Sequence, residues 1–301
     1  MTENIYSEVK KASECEWHRI SVNGVLKHLG VSRSGYYDWL KRGPSRQEER
    51  RLDIQKKITT EYEDSHEIYG AIKITRALNS KGTNVSERTV TRYMHEMGIH
   101  AWYRRPYTVT TISQDFSEDL KNILNREFNP DKPNAVWCTD ITYINTEEGF
   151  YYLSCIMDFF SRKIIAWELG KTLETKYVVN AINKAIAETG TKPRIIHQDR
   201  GIQYTSDEYK TCTSGIDRSY SRKGTPWDNA CIESFHSLIK REWLWRYKKI
   251  QGYDHAKKLI FEYINTFYNT IRIHSHCGYL SPEAYEKQYY MNLKEAAKNI
   301  A

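Results

Sequence analysis

A chain of 301 residues, 40% of them hydrophobic, has material for one large packed domain with smaller ones attached. Its formal net charge of +7 favours a polyanionic partner. No stretch approaches the roughly 18 consecutive apolar residues of a spanning helix, the N-terminal MTENIYSEVK has no apolar signal core, and the six cysteines form no CxxC pair; the composition reads as a cytoplasmic protein with reduced thiols, without a disulfide framework or a zinc knuckle.

Residues 1–43 read as a helical segment. Val22, Val25, Leu26 and Leu29 recur at helical spacing, Gly30 breaks the run, and Ser32 is placed to cap a second helix through Tyr36 and Leu40. Residues 44–105 carry a charged helix over 47–62, a helix with Ile72, Ile74 and Leu78, a turn at Lys81-Gly82, and a helix that starts at Ser86 and carries Val90, Tyr93, Met94 and Met97. This is a helix-turn-helix outline with Arg88, Thr89 and Arg92 on its open face; the same pattern also serves a helical hairpin that touches no nucleic acid. Arg104 and Arg105, in the basic aromatic segment AWYRRPY, suit a phosphate backbone. Residues 106–132 read as a linker with one short helix near 117–126.

The composition then changes. Residues 136–168 predict three strands in succession, with breaks at Glu147-Glu148-Gly149 and Phe160-Ser161-Arg162. A helix over 173–189 follows, ended by Gly190; then come a short strand RIIHQD, a short helix capped by Ser206, a strand IDRSYS, and a helix from Trp227 to Trp245. On that last helix Cys231, Phe235 and Leu238 make an apolar stripe, and Asn229, Glu233, Ser237 and Lys240 fall on the other side. The elements predict a mixed five-stranded sheet flanked by helices over 133–250, with a helical extension over 251–301.

Three acidic residues stand out: Asp140 within the first strand, Asp199 at the end of the fourth and Glu233 on the last helix. If these strands are neighbours, the carboxylates meet beyond a sheet edge, where open α/β sheets bind ligands. Their repulsion is relieved by divalent cations, and an all-oxygen set favours Mg²⁺ or Mn²⁺ over zinc. Two such ions serve in-line phosphoryl transfer. Asp158 competes for either aspartate position, and any one of these groups has an ordinary structural reading as well. His197 reads as a supporting group behind the site or as a satisfied core histidine. Lys240 is placed to hold a phosphate, and Arg222, Lys223 and Gly224 form a basic loop suited to a DNA strand.

At these residues the sequence resembles a known family. WCTDITYI (137–144), HQDRGIQYTSDEY (197–209), SYSRKGTPWDNACIESFHSLIKRE (219–242) and FYNTIRIHSHCGYLSPEAY (267–285) resemble the second-frame (OrfB) protein of IS3-family insertion sequences. The resemblance covers nearly the whole chain. It implies a DDE transposase core with the RNase H-like fold of retroviral integrases, preceded by helix-turn-helix units. It implies Asp140, Asp199 and Glu233 as catalytic metal ligands for two Mg²⁺, and Lys240, Asn229 and the Ser221–Gly224 loop as matching positions that meet DNA. It further implies cleavage and strand transfer at insertion-sequence ends, usually through a circular intermediate. The partners implied are double-stranded DNA and the first-frame OrfA protein or an OrfAB fusion, in a dimer or higher oligomer associated with the nucleoid. The 33 residues between Asp199 and Glu233 are slightly fewer than the family's usual spacing, and Gln198 and Cys277 replace a serine and a leucine. A metal-dependent nuclease shares every carboxylate, and a regulatory DNA-binding protein of the element is the other alternative.

Overall fold

The structure, a computed structural model, describes residues 2–14, 21–42, 45–102, 120–222 and 225–298. Chain contacts divide it into two compact units, Met1–Thr60 and Glu61–Ala301. The first holds helices α1 (Thr2–Ser13), α2 (Val22–His28), α3 (Arg33–Lys41) and most of α4 (Arg46–Asp64). Ser21 and Ser32 cap α2 and α3 by accepting the N–H groups of Gly24 and Gly35. Tyr6 and Val9 of α1 close a small core with Leu26 and Tyr36, while Leu29 and Leu40 stay exposed.

The second unit begins within α4. Helices α5 (Ala71–Ser80) and α6 (Glu87–Glu96) follow, joined through Gly82 in the left-handed region. Ser86 accepts the Thr89 N–H at the head of α6, and Ile74, Leu78, Val90, Tyr93 and Met94 are buried; Ile72, expected inside, is exposed. These helices belong to the same compact unit as the sheet. The anchors are specific. Tyr69 donates to the Ile271 carbonyl at 3.1 Å and accepts the Ile273 N–H at 2.8 Å. Trp102 donates its indole N–H to the Arg241 carbonyl at 3.1 Å, and His66 meets the rings of Trp243 and Phe267 edge-on.

The sheet has strands β1 (Val136–Thr146), β2 (Gly149–Asp158), β3 (Ile164–Gly170), β4 (Ile195–Gln198) and β5 (Asp217–Tyr220). Their order is β3-β2-β1-β4-β5. β1, β2 and β3 run antiparallel through short turns, while β4 and β5 pair in parallel. The crossover to β4 is α7 (Thr175–Thr189), which buries Val178, Ala181, Ile182 and Ala185 against Trp137, Ile156 and Ile196 and stops at Gly190, φ 65°. Two short helices, α8 (Ile202–Thr205) and α9 (Asp207–Cys212), return the chain to β5. This is the expected mixed sheet of RNase H-like type. Residues 120–126 form no helix, contrary to expectation; instead the Leu124 N–H and the Asn122 side chain bond to Ser219 on β5.

The chain continues through a 3₁₀ turn (Pro226–Asn229), α10 (Ala230–Glu242), α11 (Tyr253–Phe261) with a wider π-type continuation (Glu262–Tyr268), and α12 (Pro282–Lys298). The expected single helix over 227–245 is therefore shorter, opened and closed by 3₁₀ turns. The extension is stitched to the core. Asn269 pairs both its amide groups with the Ile164 backbone at 3.0 and 2.9 Å and so covers part of the edge strand β3. Glu242, at the end of α10, receives two bonds from Arg272 (2.7 and 2.6 Å) and one from Tyr263 (2.7 Å). Among the described residues no helix is long and apolar enough to cross a membrane.

Glu242 and Arg272 are 9% and 5% exposed, so removing one leaves the other charged and stranded. Glu242→Ala should cost about 3–5 kcal/mol, read as a fall in denaturation midpoint; an unchanged midpoint would show that the pair does not hold the extension. His274 gives a pH signature. Burial, then the charges of Arg272, Arg162, His276 and Lys73, pulls it down to about 3 from 6.5. Between those values the unfolded chain binds the extra proton, so this stability is complete above pH 6.5 and is lost as pH falls toward 3. His274→Asn should flatten that part of the curve in chemical denaturation; a curve of unchanged slope would remove the assignment.

Candidate active site

Register explains why two distant aspartates meet. Cys138 of β1 stands opposite His197 of β4 in the parallel pairing. Two residues further along each strand lie Asp140 and Asp199, side by side where β4 ends. Strand alternation does the rest. Trp137 and Ile141 join the α7 core, so Asp140 faces the other side of the sheet, where α10 packs on β1.

The buried face of α10 is Ile232, Phe235, His236, Ile239 and Glu242. The apolar stripe expected from Cys231, Phe235 and Leu238 is thus turned about the helix axis, because Ile232 and Ile239 fill the core and Cys231 and Leu238 are only partly buried. Glu233 stays solvent-facing on the side toward the aspartates. The short Asp199–Glu233 spacing leaves β5 in register with β4 and keeps Glu233 within the field of both aspartates.

That field is strong. Asp199 is half-buried; exclusion of water, then the charge of Asp140, pushes its carboxyl up to about 6 against one stabilising bond from the Gly201 N–H at 2.8 Å. A Cβ at residue 201 would stand 3.0 Å from Asp199 Oδ1, so a glycine keeps that carboxylate in place. Partial loss of water, then the charges of Asp140 and Asp199, pushes Glu233 up to about 7. Among the described residues neither Asp199 nor Glu233 has an ion-pair partner. Nor do three acidic, histidine or cysteine side chains there form a ready-made cation cluster. The donor chemistry, all oxygen, is of the kind that suits a hard divalent cation.

His236 is a residue that the sequence reading passed over. Its Nδ1 lies 3.2 Å from Asp140 Oδ2, and its buried Nε2 has no partner among the described residues. The signal was its place three residues after Glu233, which puts it on an adjoining face of the helix. His197 is fully buried between the Ser219 and Ser221 hydroxyls, at 2.9 and 3.1 Å. Burial holds it down to about 4, a neutral rivet between β4 and β5 just behind Asp199. Asp158 is no competitor: it pairs across from Trp137 and accepts the Asn134 N–H, the Ser161 N–H and the Ser161 hydroxyl, closing the β2–β3 turn.

Lys240 is half-buried, its ammonium 4.1 Å from the centre of the Tyr143 ring. Loss of water lowers its pKa, and Asp140 pulls the other way. Tyr143 in turn meets Phe150 edge-on at 5.4 Å, and both rings are exposed. No periodic signal pointed to Tyr143, because the contact spans two elements far apart in sequence. Arg222 is half exposed and donates to Asn125 at 2.9 Å. Arg88 and Arg92 lie exposed on α6, Arg92 across the Tyr93 ring. Asn229 does not lie on the solvated side as expected: it is 3% exposed, because the 3₁₀ turn swings it inward, and its Oδ1 has no partner among the described residues. Lys223, Gly224, Arg104 and Arg105 lie outside the described residues.

Residues 130–226 and again 214–282 match families described as Integrase core domain, and residues 47–107 match an HTH-like domain. The transposase for insertion sequence element IS904 of Lactococcus lactis is 37% identical over 249 residues, covering 82% of this chain and 98% of that protein. The IS600 31 kDa protein of Shigella sonnei is 35% identical over 267 residues, 87% and 97% of the two chains. Transposase InsF of IS3A from Escherichia coli is 31% identical over 274 residues, 89% and 94%. Among solved structures, the HTLV-2 integrase catalytic core domain in complex with magnesium covers 52% of this chain and 98% of its own, with 21% identity and a TM-score of 0.41, a likeness too slight to bear on chemistry. The sheet, the helix-turn-helix region and these relatives agree: the chain belongs to the transposases of IS3-family insertion sequences.

Proposed function

We propose that this transposase is a polynucleotidyl transferase that cuts DNA at the ends of its insertion sequence and joins the freed 3′ ends to new DNA. Asp140, Asp199 and Glu233 are the residues that would hold divalent cations, two Mg²⁺ per site with Mn²⁺ as substitute. The observation that carries the reading is that three carboxylates, from β1, the end of β4 and α10, lie within one another's field, with no ion-pair partner for Asp199 or Glu233 among the described residues. Bound cations supply charge neutralisation and activation of an attacking oxygen.

The two reactions are one displacement with different nucleophiles. In cleavage a water oxygen bonds to the end phosphorus, the bond from phosphorus to the 3′ oxygen breaks, and a proton passes to solvent. In joining, that 3′-hydroxyl oxygen bonds to a second phosphorus and displaces another 3′ oxygen. The chain's own side chains set the stage. Gly201 N–H and His236 fix the aspartates, His197 ties the strands behind them, and Lys240 reaches a phosphate beside the carboxylates. Tyr143 supports Lys240 through a ring face, which leaves the ammonium's N–H donors free for phosphate. Arg222 lines the strand beside α10, and the sequence adds Lys223 as a further phosphate contact. Arg88 and Arg92 meet DNA from α6, and the sequence adds Arg104 and Arg105 as further phosphate contacts. Two element ends must be held together, so the working form is a dimer or larger, with the first-frame OrfA protein or the OrfAB fusion as partner, in the cytoplasm at the nucleoid.

Asp199→Asn should lower end cleavage and joining by about 100-fold or more while DNA affinity holds or rises slightly, since a repelling charge is removed. Labelled end DNA with Mg²⁺, scored separately for cut and joined products, is the assay; a variant that cuts at the wild-type rate refutes the site, and cut products that never join reduce the activity to a nuclease. Lys240→Ala should weaken end binding several-fold, and Lys240→Arg should restore only part of it. Tyr143→Ala should reproduce part of the loss and Tyr143→Phe should recover it, because the ring face and not the hydroxyl holds the ammonium. Equal binding by Lys240→Ala and wild type in a filter or anisotropy titration would remove Lys240 from the DNA path.

A further inference from the structure

Just before α10, the 3₁₀ turn presents Trp227 with its side chain 55% exposed. The next residue is the reverse case. Asp228 is fully buried and accepts four bonds: Asn122 Nδ2 at 2.9 Å, Arg126 Nε at 2.6 Å, the Arg222 N–H at 3.1 Å and Thr225 Oγ1 at 3.0 Å. One carboxylate therefore clamps residues 122–126, the start of the 222–225 loop and the head of α10. Arg126 is clamped so that its guanidinium lies 5.9 Å from the centre of the Trp227 ring. The turn that delivers it is strained: Asn125 and Arg126, neither a glycine, have φ of 45° and 66°. Asn125 also accepts from Arg222 Nη2 at 2.9 Å, which brings a second guanidinium to the same place.

A fully buried carboxylate and two left-handed residues hold a large indole out in water beside the Arg126 guanidinium, with a second guanidinium on the same turn. A packing role would bury the ring. We propose that Trp227, with Arg126 against its ring and Arg222 bonded to the adjoining Asn125, is a stacking platform for one unpaired nucleobase of the DNA engaged at the neighbouring carboxylates, a reading that rests on the function proposed above. The chemistry selects this ligand. An indole face accepts the face of any base, and the guanidinium groups beside it meet the phosphate of the same nucleotide. Bases inside a duplex have both faces covered, so the platform takes a base at a strand terminus or one turned out of the stack. Trp227 stands six residues ahead of Glu233 on a continuous turn and helix, so a base held there fixes the strand relative to the carboxylates.

The test uses the full chain and duplexes carrying the ends of its own insertion sequence, with 2-aminopurine placed singly at successive positions around the cut and, in one series, left unpaired. In wild type the fluorescence should change at one position. Trp227→Ala should abolish that change and weaken binding of the unpaired series about tenfold, with less effect on fully paired DNA; Trp227→Phe should keep most of both. The Asp199→Asn variant should keep the fluorescence change although it does not cut, which separates base holding from chemistry. A wild type that cuts DNA while Trp227→Ala matches it in affinity and in fluorescence at every position overturns the platform alone. A wild type that neither binds nor cuts end DNA overturns the platform together with the function on which it rests.

Discussion

Like charges gathered at the rim of a sheet destabilise the fold that gathers them, and the second unit is built around tolerating that repulsion. Asp140 and Asp199 are fixed by the parallel pairing of β1 with β4, which cannot slip by one residue without turning every core side chain of β4 to the wrong face. The charge is left to be relieved from outside. Lys240 is the nearby cation; it senses Asp140 but forms no ion pair among the described residues. A site whose own side chains neutralised the carboxylates would have no use for a divalent ion.

The rigidity that this demands comes from the far end of α10. Glu242 closes the helix and is gripped by Arg272 and Tyr263 from the extension. Tyr69, just ahead of α5, binds the backbone on both sides of Arg272. Lys73, one turn along α5, is pushed down to about 7 by burial and by Arg272, with Glu242 opposing. The helix that carries Glu233 is therefore connected at its other end to the helix-turn-helix region. A buried ion pair is weak support for stability in itself; its geometric effect here is to fix the rotation of α10, and with it the direction in which Glu233 points.

The succession of strands, the helix α7 and the Ser86 cap were legible because each rests on local signals: alternation, a glycine stop, a hydroxyl three residues ahead of an N–H; the order of the strands in the sheet was not. That Asp140 lies within the first strand, Asp199 at the end of the fourth and Glu233 on the last helix was legible from strand and helix patterning. What was not legible depends on long-range packing. The α10 stripe was misread because Ile232 and Ile239 were not weighed against Cys231 and Leu238, and only the sheet beneath decides between the two phases. Asn229 was set on the solvated side because a regular helix was assumed where the chain makes a 3₁₀ turn. Residues 120–126 were assigned partly to a helix by composition, yet their side chains and N–H groups are committed to β5 and Asp228.

The sharpest contrast lies among aspartates, which sequence alone treats as equals. Asp228 is more completely buried than Asp199, and burial alone would raise its pKa. Bonds from Arg126, the Arg222 N–H and Thr225 overcome that and hold it down to about 2. Asp158 is also enclosed by three donors, two of them backbone N–H groups, though burial outweighs them and pushes its carboxyl up. Asp199 has one donor and a like charge beside it, and stands at about 6. Saturated carboxylates organise turns; a carboxylate left short of donors retains lone pairs for something not yet bound. By that criterion Asp228 and Asp158 belong to the scaffold, and Asp199 keeps the open lone pairs that the proposed metal-binding role requires; the distinction follows from counting hydrogen-bond donors around each carboxylate.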